Sequence, residues 1–539
     1  MCGINGIYGE ENIGLAKELI QKMNSCMEHR GPDDNGVYTE EIIALGHQRL
    51  SILDLSSLGK QPMQSNSGRF VLSFNGEIYN FNEIKKELEG YDFKTQTDSE
   101  MVLAAYEKWG IECLSRFNGM FAIAIWDKTK EELFLARDRM GIKPIYYYQK
   151  EKLFVFSSEI RSLLESGFIP RQLNIDCLSE FLEYQTVNAP NTLVKNVQML
   201  EAGHWMKISK DGLTKKPFWE MEKFTAMQNG INVNEAHVKI KELFFESVER
   251  RMIADVPLGA FLSGGIDSSA VVAAMSKISS KKVETFNINF AEKEFSEAKY
   301  ADEIAKLYNT NHHEIQLNPT DFLEELPYAL MAMDHPSGDG PNSYIVSKAT
   351  RNAGVTVALS GLGGDEIFCG YDVFALLNKL EHSSLRYLPL GIRKALGSLL
   401  YSIKKGNNTH KIKQVLGAPK LNFEGAYPLF RQALWKEEIE KITGDYSSDV
   451  LNRFLLIGDK ELYSKISVAE MQTYMQNTLL RDTDQMSMAS ALEVRVPFLD
   501  HTLVEYVLGL PDAIKHPTSP KKLFVESMGD LLPESIWKR

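Results

Sequence analysis

Cysteine is scarce and scattered: Cys2, Cys26, Cys113, Cys177 and Cys369 make five, an odd number with no C-x-x-C spacing. That pattern excludes a disulfide scaffold and a cysteine zinc site, and it fits a reducing cytoplasm. No apolar run approaches the roughly 20 residues of a membrane span. The opening MCGINGIYGEENIG lacks the basic segment and apolar core of a signal peptide. A cationic excess is also missing. Lys and Arg number 60 against 72 Asp and Glu, a formal net charge of −12, so neither nucleic acid nor an anionic membrane is expected as a general partner. What is present is a globular-type composition, 44% hydrophobic and 24% charged, over 539 residues. That length exceeds one core and predicts two to four domains.

One string organises the second half: Ala260-Phe261-Leu262-Ser263-Gly264-Gly265-Ile266-Asp267-Ser268-Ser269. Val256 to Leu262 predicts a buried strand interrupted only by Gly259, and Ser269 to Ile278 a helix with Ser and Asp as caps. A glycine turn between them aims backbone N–H groups and a positive helix end at one spot, which suits phosphate. The G-x-x-x-x-G-K-[ST] spacing is absent, and Asp267 stands where a lysine would. A carboxylate beside phosphate calls for Mg²⁺ between them. The string S-G-G-I-D-S-S resembles the pyrophosphate loop of enzymes that cleave ATP to AMP and pyrophosphate. The resemblance implies ATP contacts at Leu262, Ser263, Gly264, Gly265, Asp267 and Ser268.

Cys2 follows the initiator Met. With Met1 removed, its thiol and a free α-amino group share one residue. An α-amine of pKa about 7.7–8.0 is a base near neutrality, and an amine-activated nucleophile can open an amide carbonyl. Met1-Cys2-Gly3-Ile4, His29-Arg30-Gly31-Pro32-Asp33, His47-Gln48-Arg49-Leu50-Ser51-Ile52, Asn75-Gly76-Glu77-Ile78-Tyr79-Asn80 and Thr97-Asp98-Ser99-Glu100 occur in that order. Together they resemble the class II glutamine amidotransferase (N-terminal nucleophile) family over about the first 200 residues. The resemblance implies that Cys2 attacks the glutamine side-chain amide, that the Asn75 side chain and the Gly76 N–H form an oxyanion hole, that Arg49 grips the α-carboxylate, and that Glu77 and Asp98 lie near the α-ammonium. It also implies a sandwich of antiparallel sheets covered by helices.

The local pattern is compatible with that fold. Phe70 to Phe74 predicts a strand before an Asn-Gly turn, and Glu83 to Leu88 a short helix. Phe121–Trp126 with Glu132–Ala136, and Ile145–Tyr148 with Leu153–Phe156, predict hairpins. The domains predicted are 1–208, a linker over 209–234 that mixes Lys, Gly and Pro, and 235–539.

The second half opens with helical spacing over Glu235 to Met252. Strands at Val283–Ile288, His313–Ile315 and Val355–Leu359 then alternate with helices at Glu297–Tyr308 and Ser343–Ala353. Alternation predicts a doubly wound parallel sheet with ligands at the carboxyl ends of its strands, so the whole is an α/β multidomain chain. At the last of these strands, Ser360-Gly361-Leu362-Gly363-Gly364-Asp365-Glu366 resembles the second signature of the asparagine synthetase family, and Thr478 to Asp500 separately resembles a string of the same family. By that resemblance Asp365 joins Asp267 in holding Mg²⁺, Ser360 contacts ATP, Ile288, Leu262 and Gly361 approach the adenosine, and Thr478 to Asp500 packs behind the ATP site. The adjacent His312 and His313 point to opposite faces of a strand and are not read as metal ligands. The basic stretch from Ser383 to Lys420 reads as a solvated helical face.

The family's substrates are glutamine, ATP and aspartate, and its members are often homodimers. Two departures leave the acceptor open between aspartate and another carboxylate of a sugar, peptide or secondary metabolite. Leu362 stands where relatives commonly place glutamate, and Asp334 to Asn342 lacks an acceptor-binding arginine. Leu531 to Arg539 looks like the lead-in to a Pro-Lys segment whose lysine contacts pyrophosphate. The expectation is that this lysine lies past Arg539 or that another basic residue takes its place. A nucleotide-binding relative with an impaired synthetase half is the third reading.

Overall fold

The computed structural model describes residues 2–9, 16–225, 230–290, 297–338, 340–446, 448, 460–515 and 518–538. The first half is a sandwich of two six-stranded antiparallel sheets. In one, Gly3–Tyr8 runs between Ile43–Arg49 and Leu153–Ser157. In the other, Phe70–Ile78 lies between Met63–Gln64 and Gly119–Asp127. Alternate residues meet between the sheets: Ile4, Leu45 and Phe156 from the first pack on Val71, Ala122, Ala124 and Trp126 from the second. Helices cover both outer faces, Ala16–Ser25 through Ile20 and Met23 and Asp98–Trp109 through Met101 and Ala105. Both expected hairpins are present.

Two local expectations fail here. Asn75-Gly76 makes no turn; the strand runs straight through it to Ile78, because Gly119–Asp127 pairs along its whole length. The stretch read as a linker is a strand over Gly212–Pro217, paired with His204–Ser209 at the sheet edge, so the irregular segment begins after it. Edge strands tolerate Lys and Pro, which is why its composition read as a linker.

The second half is a five-stranded parallel sheet in the order Asn311–Leu317, Glu284–Phe290, Leu258–Phe261, Val357–Leu359, Glu493–Arg495. The order reverses beside Leu258–Phe261, so a crevice opens at the carboxyl ends of that strand and Val357–Leu359. The helix after the first glycine turn starts at Ile266, earlier than expected, with Asp267, Ser268 and Ser269 inside its first turn instead of capping it. A helical layer follows the second signature, and in it Arg393 is no solvated charge. It is buried and donates to the carbonyls of Leu388, Leu416, Ala418 and Pro419, tying loop ends together. His312 and His313 bond to Thr285 and Glu284 respectively.

The two halves share one core. Leu50, Tyr79, Met120 and Ile142 from the first join Ala260, Val496 and Phe498 from the second in a single apolar cluster. Among the described residues no helix is long and apolar enough to cross a membrane.

Candidate active site

Cys2 immediately precedes the strand Gly3–Tyr8 of the first sheet, and it is 9% exposed. Its backbone nitrogen donates to Asn75 Oδ1 at 2.9 Å. The other end of that amide, Asn75 Nδ2, is buried with no hydrogen-bond partner among the described residues. An unsatisfied buried donor beside a thiol is what a developing oxyanion requires. Gly76 follows, and a Cβ there would stand 2.1 Å from the Met120 carbonyl. Opposite it, Phe121 directs its N–H and C=O to Asp138, so the Gly76 amide faces away from that strand. Burial pushes the Cys2 thiol up, while nearby Arg49 pulls it down.

Arg49 in this structure braces a loop, donating to the carbonyls of Asp54 at 2.6 Å and Ser56 at 2.8 Å. Asp98 accepts from the Ile78 N–H at 2.9 Å. Burial and the Asp98 charge push Glu77 well above the usual carboxylate range, against the pull of Arg495. Asp98 itself is raised to about 6 by burial. Two buried acids so placed favour a cation between them. Met1 lies outside the described residues.

The second set gathers in a cleft of 620 Å³ at the sheet's switch point, lined by Ser263, Gly265, Asp267, Ser268, Ser360, Gly361, Leu362 and Asp365 among others. The two signatures touch through glycine. A Cβ on Gly361 would lie 2.8 Å from Ser268 N, and one on Gly364 would lie 2.4 Å from Asp267 Oδ2. Gly264 has φ +77°, the left-handed region. Leu262 is fully buried in the core, and Ile288 packs beside Leu317 and Tyr344; neither lines the cleft, nor does Gly264.

Lys521 is the residue that sequence reasoning missed. Its Nζ lies 2.6 Å from Asp267 Oδ2 and 2.8 Å from Asp365 Oδ1. Of the two alternatives for the pyrophosphate lysine, the second has a candidate within the chain: Lys521 lines the cleft. Burial would lower the lysine, but the two carboxylates overcome it and hold it as an ammonium. Asp267 is raised to about 6, by burial first, with Lys521 opposing. Its Oδ1 has no hydrogen-bond partner among the described residues. Two hard carboxylates, one with a free oxygen, match the donor set of Mg²⁺.

Thr478 to Asp500 does more than back the cleft. It takes in the last two residues of the π-helix Met471–Leu479, the α-helix Leu480–Met488 and the strand Glu493–Arg495, and it reaches across to the first half. Arg30 is fully buried and donates to the Cys2 carbonyl at 3.1 Å, to Glu159 at 3.0 Å and to Asp484 at 2.8 Å. The loop 334–342 also faces the interface: Asp334 accepts from the Arg161 N–H at 2.8 Å. Asp339 is outside the described residues.

A sandwich that presents a cysteine from its first strand, fused to a parallel sheet with a glycine-walled, lysine-bearing cleft, has the build of an ATP-using glutamine amidotransferase. Comparison with known proteins agrees. Residues 1–219 match the glutamine amidotransferase domain model, and residues 239–539 match the asparagine synthase model. The chain belongs to the asparagine synthase family. It is 31% identical over its full length to asparagine synthetase [glutamine-hydrolyzing] 1 of Bacillus subtilis, covering 86% of that protein. It is 34% identical over 92% of its length to the whole of a putative asparagine synthetase [glutamine-hydrolyzing] 2 of Methanocaldococcus jannaschii. It is also 27% identical over 97% of its length to the amidase chyE of Penicillium rubens, covering 84% of it. The chain is thus an ATP-dependent ligase with a glutamine amidotransferase domain.

Proposed function

We propose that the chain makes asparagine from aspartate, ATP and glutamine in the cytoplasm, residues 1–208 releasing ammonia and residues 235–539 using it. Cys2 Sγ attacks the glutamine amide carbon, and the charge forming on the carbonyl oxygen falls to Asn75 Nδ2 and the Gly76 N–H. Ammonia leaves, and water releases glutamate from the thioester. Glu77 and Asp98 receive the α-ammonium, and Arg49 the α-carboxylate once it turns from its loop carbonyls. In the cleft an aspartate carboxylate oxygen attacks the α-phosphorus, and pyrophosphate departs toward Lys521. Ammonia then displaces AMP from the acyl carbon. Adenylation is needed because hydroxide is a poor leaving group and AMP a good one.

The observation that carries this reading is the Lys521 ammonium set between Asp267 and Asp365 in a cleft walled by two glycine signatures. Asp267 and Asp365 would hold Mg²⁺, which supplies charge neutralisation for the phosphates when bound. Leu50, Met120 and Ile142 of the first half join Val496 of the second in one apolar cluster at the domain interface.

A second acceptor is favoured by one feature. Leu362 lines the cleft where an acid would assist the adenylate, and the acid of the neighbouring loop, Asp334, is engaged by backbone amides of the first half. Such an enzyme would amidate a different carboxylate by the same chemistry. Mass spectrometry of products from amide-labelled glutamine, Mg²⁺·ATP and aspartate tests the reading. Labelled asparagine with equimolar AMP and pyrophosphate supports it. Glutamate and free labelled ammonia without AMP reject aspartate as the acceptor.

A further inference from the structure

We propose that Arg495 is a positioning residue shared by the two reaction sites, through which glutamine held at Glu77 and ATP held at Ser360 strengthen each other's binding. The inference rests on the glutamine site proposed above and adds a link that neither signature contains.

Arg495 ends the edge strand of the parallel sheet and is 0% exposed. Its backbone carbonyl accepts from the Ser360 N–H at 2.8 Å, the first residue of the second ATP signature. Its side chain leaves in the other direction. Nε donates to Glu493 at 2.6 Å, and Nη1 donates to the carbonyls of Arg251 at 2.9 Å and Ile253 at 2.6 Å. These three bonds fix the plane of the guanidinium. The remaining nitrogen, Nη2, has no hydrogen bond among the described residues and faces Glu77 Oε1 across the domain interface at 3.5 Å. One residue therefore holds the ATP loop by its main chain and addresses the glutamine site by its only uncommitted donor.

The gap defines two states. At 3.5 Å the contact is an ion-pair approach without a hydrogen bond; a shift of a few tenths of an ångström completes it. Burial and Asp98 hold Glu77 toward its neutral form, against the pull of Arg495. An arriving α-ammonium favours ionised Glu77 and Asp98 together, and a charged Glu77 attracts Nη2 more strongly. Closing the gap pulls on a three-residue strand whose end carries the Ser360 contact. Gly361, next in sequence, is packed against Asp267 and Ser268 so closely that a Cβ would lie 2.8 Å from each. Movement at Arg495 thus reaches the phosphate-facing residues, and by linkage ATP must favour glutamine to the same degree.

The test uses the full chain and a diazoketone analogue of glutamine, which alkylates a nucleophilic cysteine and keeps the α-ammonium. Mass spectrometry locates the label. Titration calorimetry then gives the Kd of α,β-methylene-ATP with Mg²⁺ for labelled and unlabelled protein. The expected Kd is at least about fivefold lower in the labelled protein, with the ratio falling to one in Arg495→Lys, which keeps the main chain but lacks the fork. Glu77→Gln, equal in shape and without charge, is expected to do the same and serves if Arg495→Lys does not fold, the covalent label standing in for affinity. Label on Cys2 with a ratio of one in the unmutated chain overturns the proposal and leaves the glutamine site intact. A ratio preserved in either variant overturns it as well. Failure to label Cys2 rejects the glutamine site, and the coupling falls with it.

Discussion

Lys521 Nζ lies 2.6 Å from Asp267 Oδ2, although 254 residues separate them. The contact makes the cleft a charge cluster in which two carboxylates share one ammonium, and burial raises one of them, Asp267, to about 6. A departing pyrophosphate needs that ammonium where its charge develops. Lys521→Met is expected to slow pyrophosphate formation by about 10²–10³-fold, the usual effect of removing one such group, while glutamate release from glutamine stays within about twofold. Parallel assays of pyrophosphate and glutamate check this. Equal losses in both would mean that the lysine supports the fold rather than the chemistry.

Asn75 divides its amide between holding Cys2 and offering an unsatisfied Nδ2. Asn75→Ala removes both. Glutamine-dependent synthesis is expected to fall by about 10²–10³-fold, and added ammonium salts are expected to restore synthesis because the ATP cleft is untouched. Steady-state assays with each nitrogen donor decide it, and rescue is the informative result. No rescue would place the damage in the second half.

Gly76 has no room for a side chain, since its Cβ would meet the Met120 carbonyl at 2.1 Å and Phe121 Cα at 2.7 Å. Gly76→Ala forces the two strands apart, at a cost of about 1–3 kcal/mol typical of overpacking, and moves the amide proposed to face the oxyanion. Both the urea midpoint and glutaminase activity are expected to drop. A lower midpoint with full activity would remove Gly76 from the oxyanion hole.

The parts legible in the sequence are those whose physics is local. A glycine turn between a buried strand and a helix announces an anion site, and the resemblance of the two glycine loops to family signatures paired Asp267 with Asp365. Alternating strands and helices gave the parallel sheet, and short apolar runs gave the hairpins. Local pattern misled where the partner strand decides the outcome: Asn75-Gly76 is a turn dipeptide held straight by Gly119–Asp127. Lys521 was hidden because Pro520-Lys521 has nothing unusual nearby; only the fold brings it to the carboxylates. Arg30, Asp484 and Arg495 were hidden for the same reason, since their bonds cross the domain interface and follow no sequence period.

Glu159 gives the interface a pH dependence whose sign follows from its partners. Burial alone would raise it, but His29 and Arg30, each 3.0 Å from Oε1, and Arg161, 3.2 Å from Oε2, bring it from 4.5 down to about 2. A carboxyl depressed in the folded state adds stability that is complete above pH 4.5 and is lost as pH falls through 4.5 toward 2. The shift corresponds to on the order of 3 kcal/mol. His47, buried and lowered from 6.5 to about 4, acts in the same direction from a higher pH, being kept neutral by the fold. Comparing the unmutated chain with Glu159→Gln isolates the carboxyl, because protonated glutamic acid and glutamine have nearly the same shape. Urea unfolding followed by tryptophan fluorescence is expected to show a stability difference that shrinks steadily as pH falls below 4.5. The His47 contribution is common to both proteins and cancels. A difference that persists unchanged to pH 3 would show that the charge on Glu159 is not what the Arg30 cluster depends on.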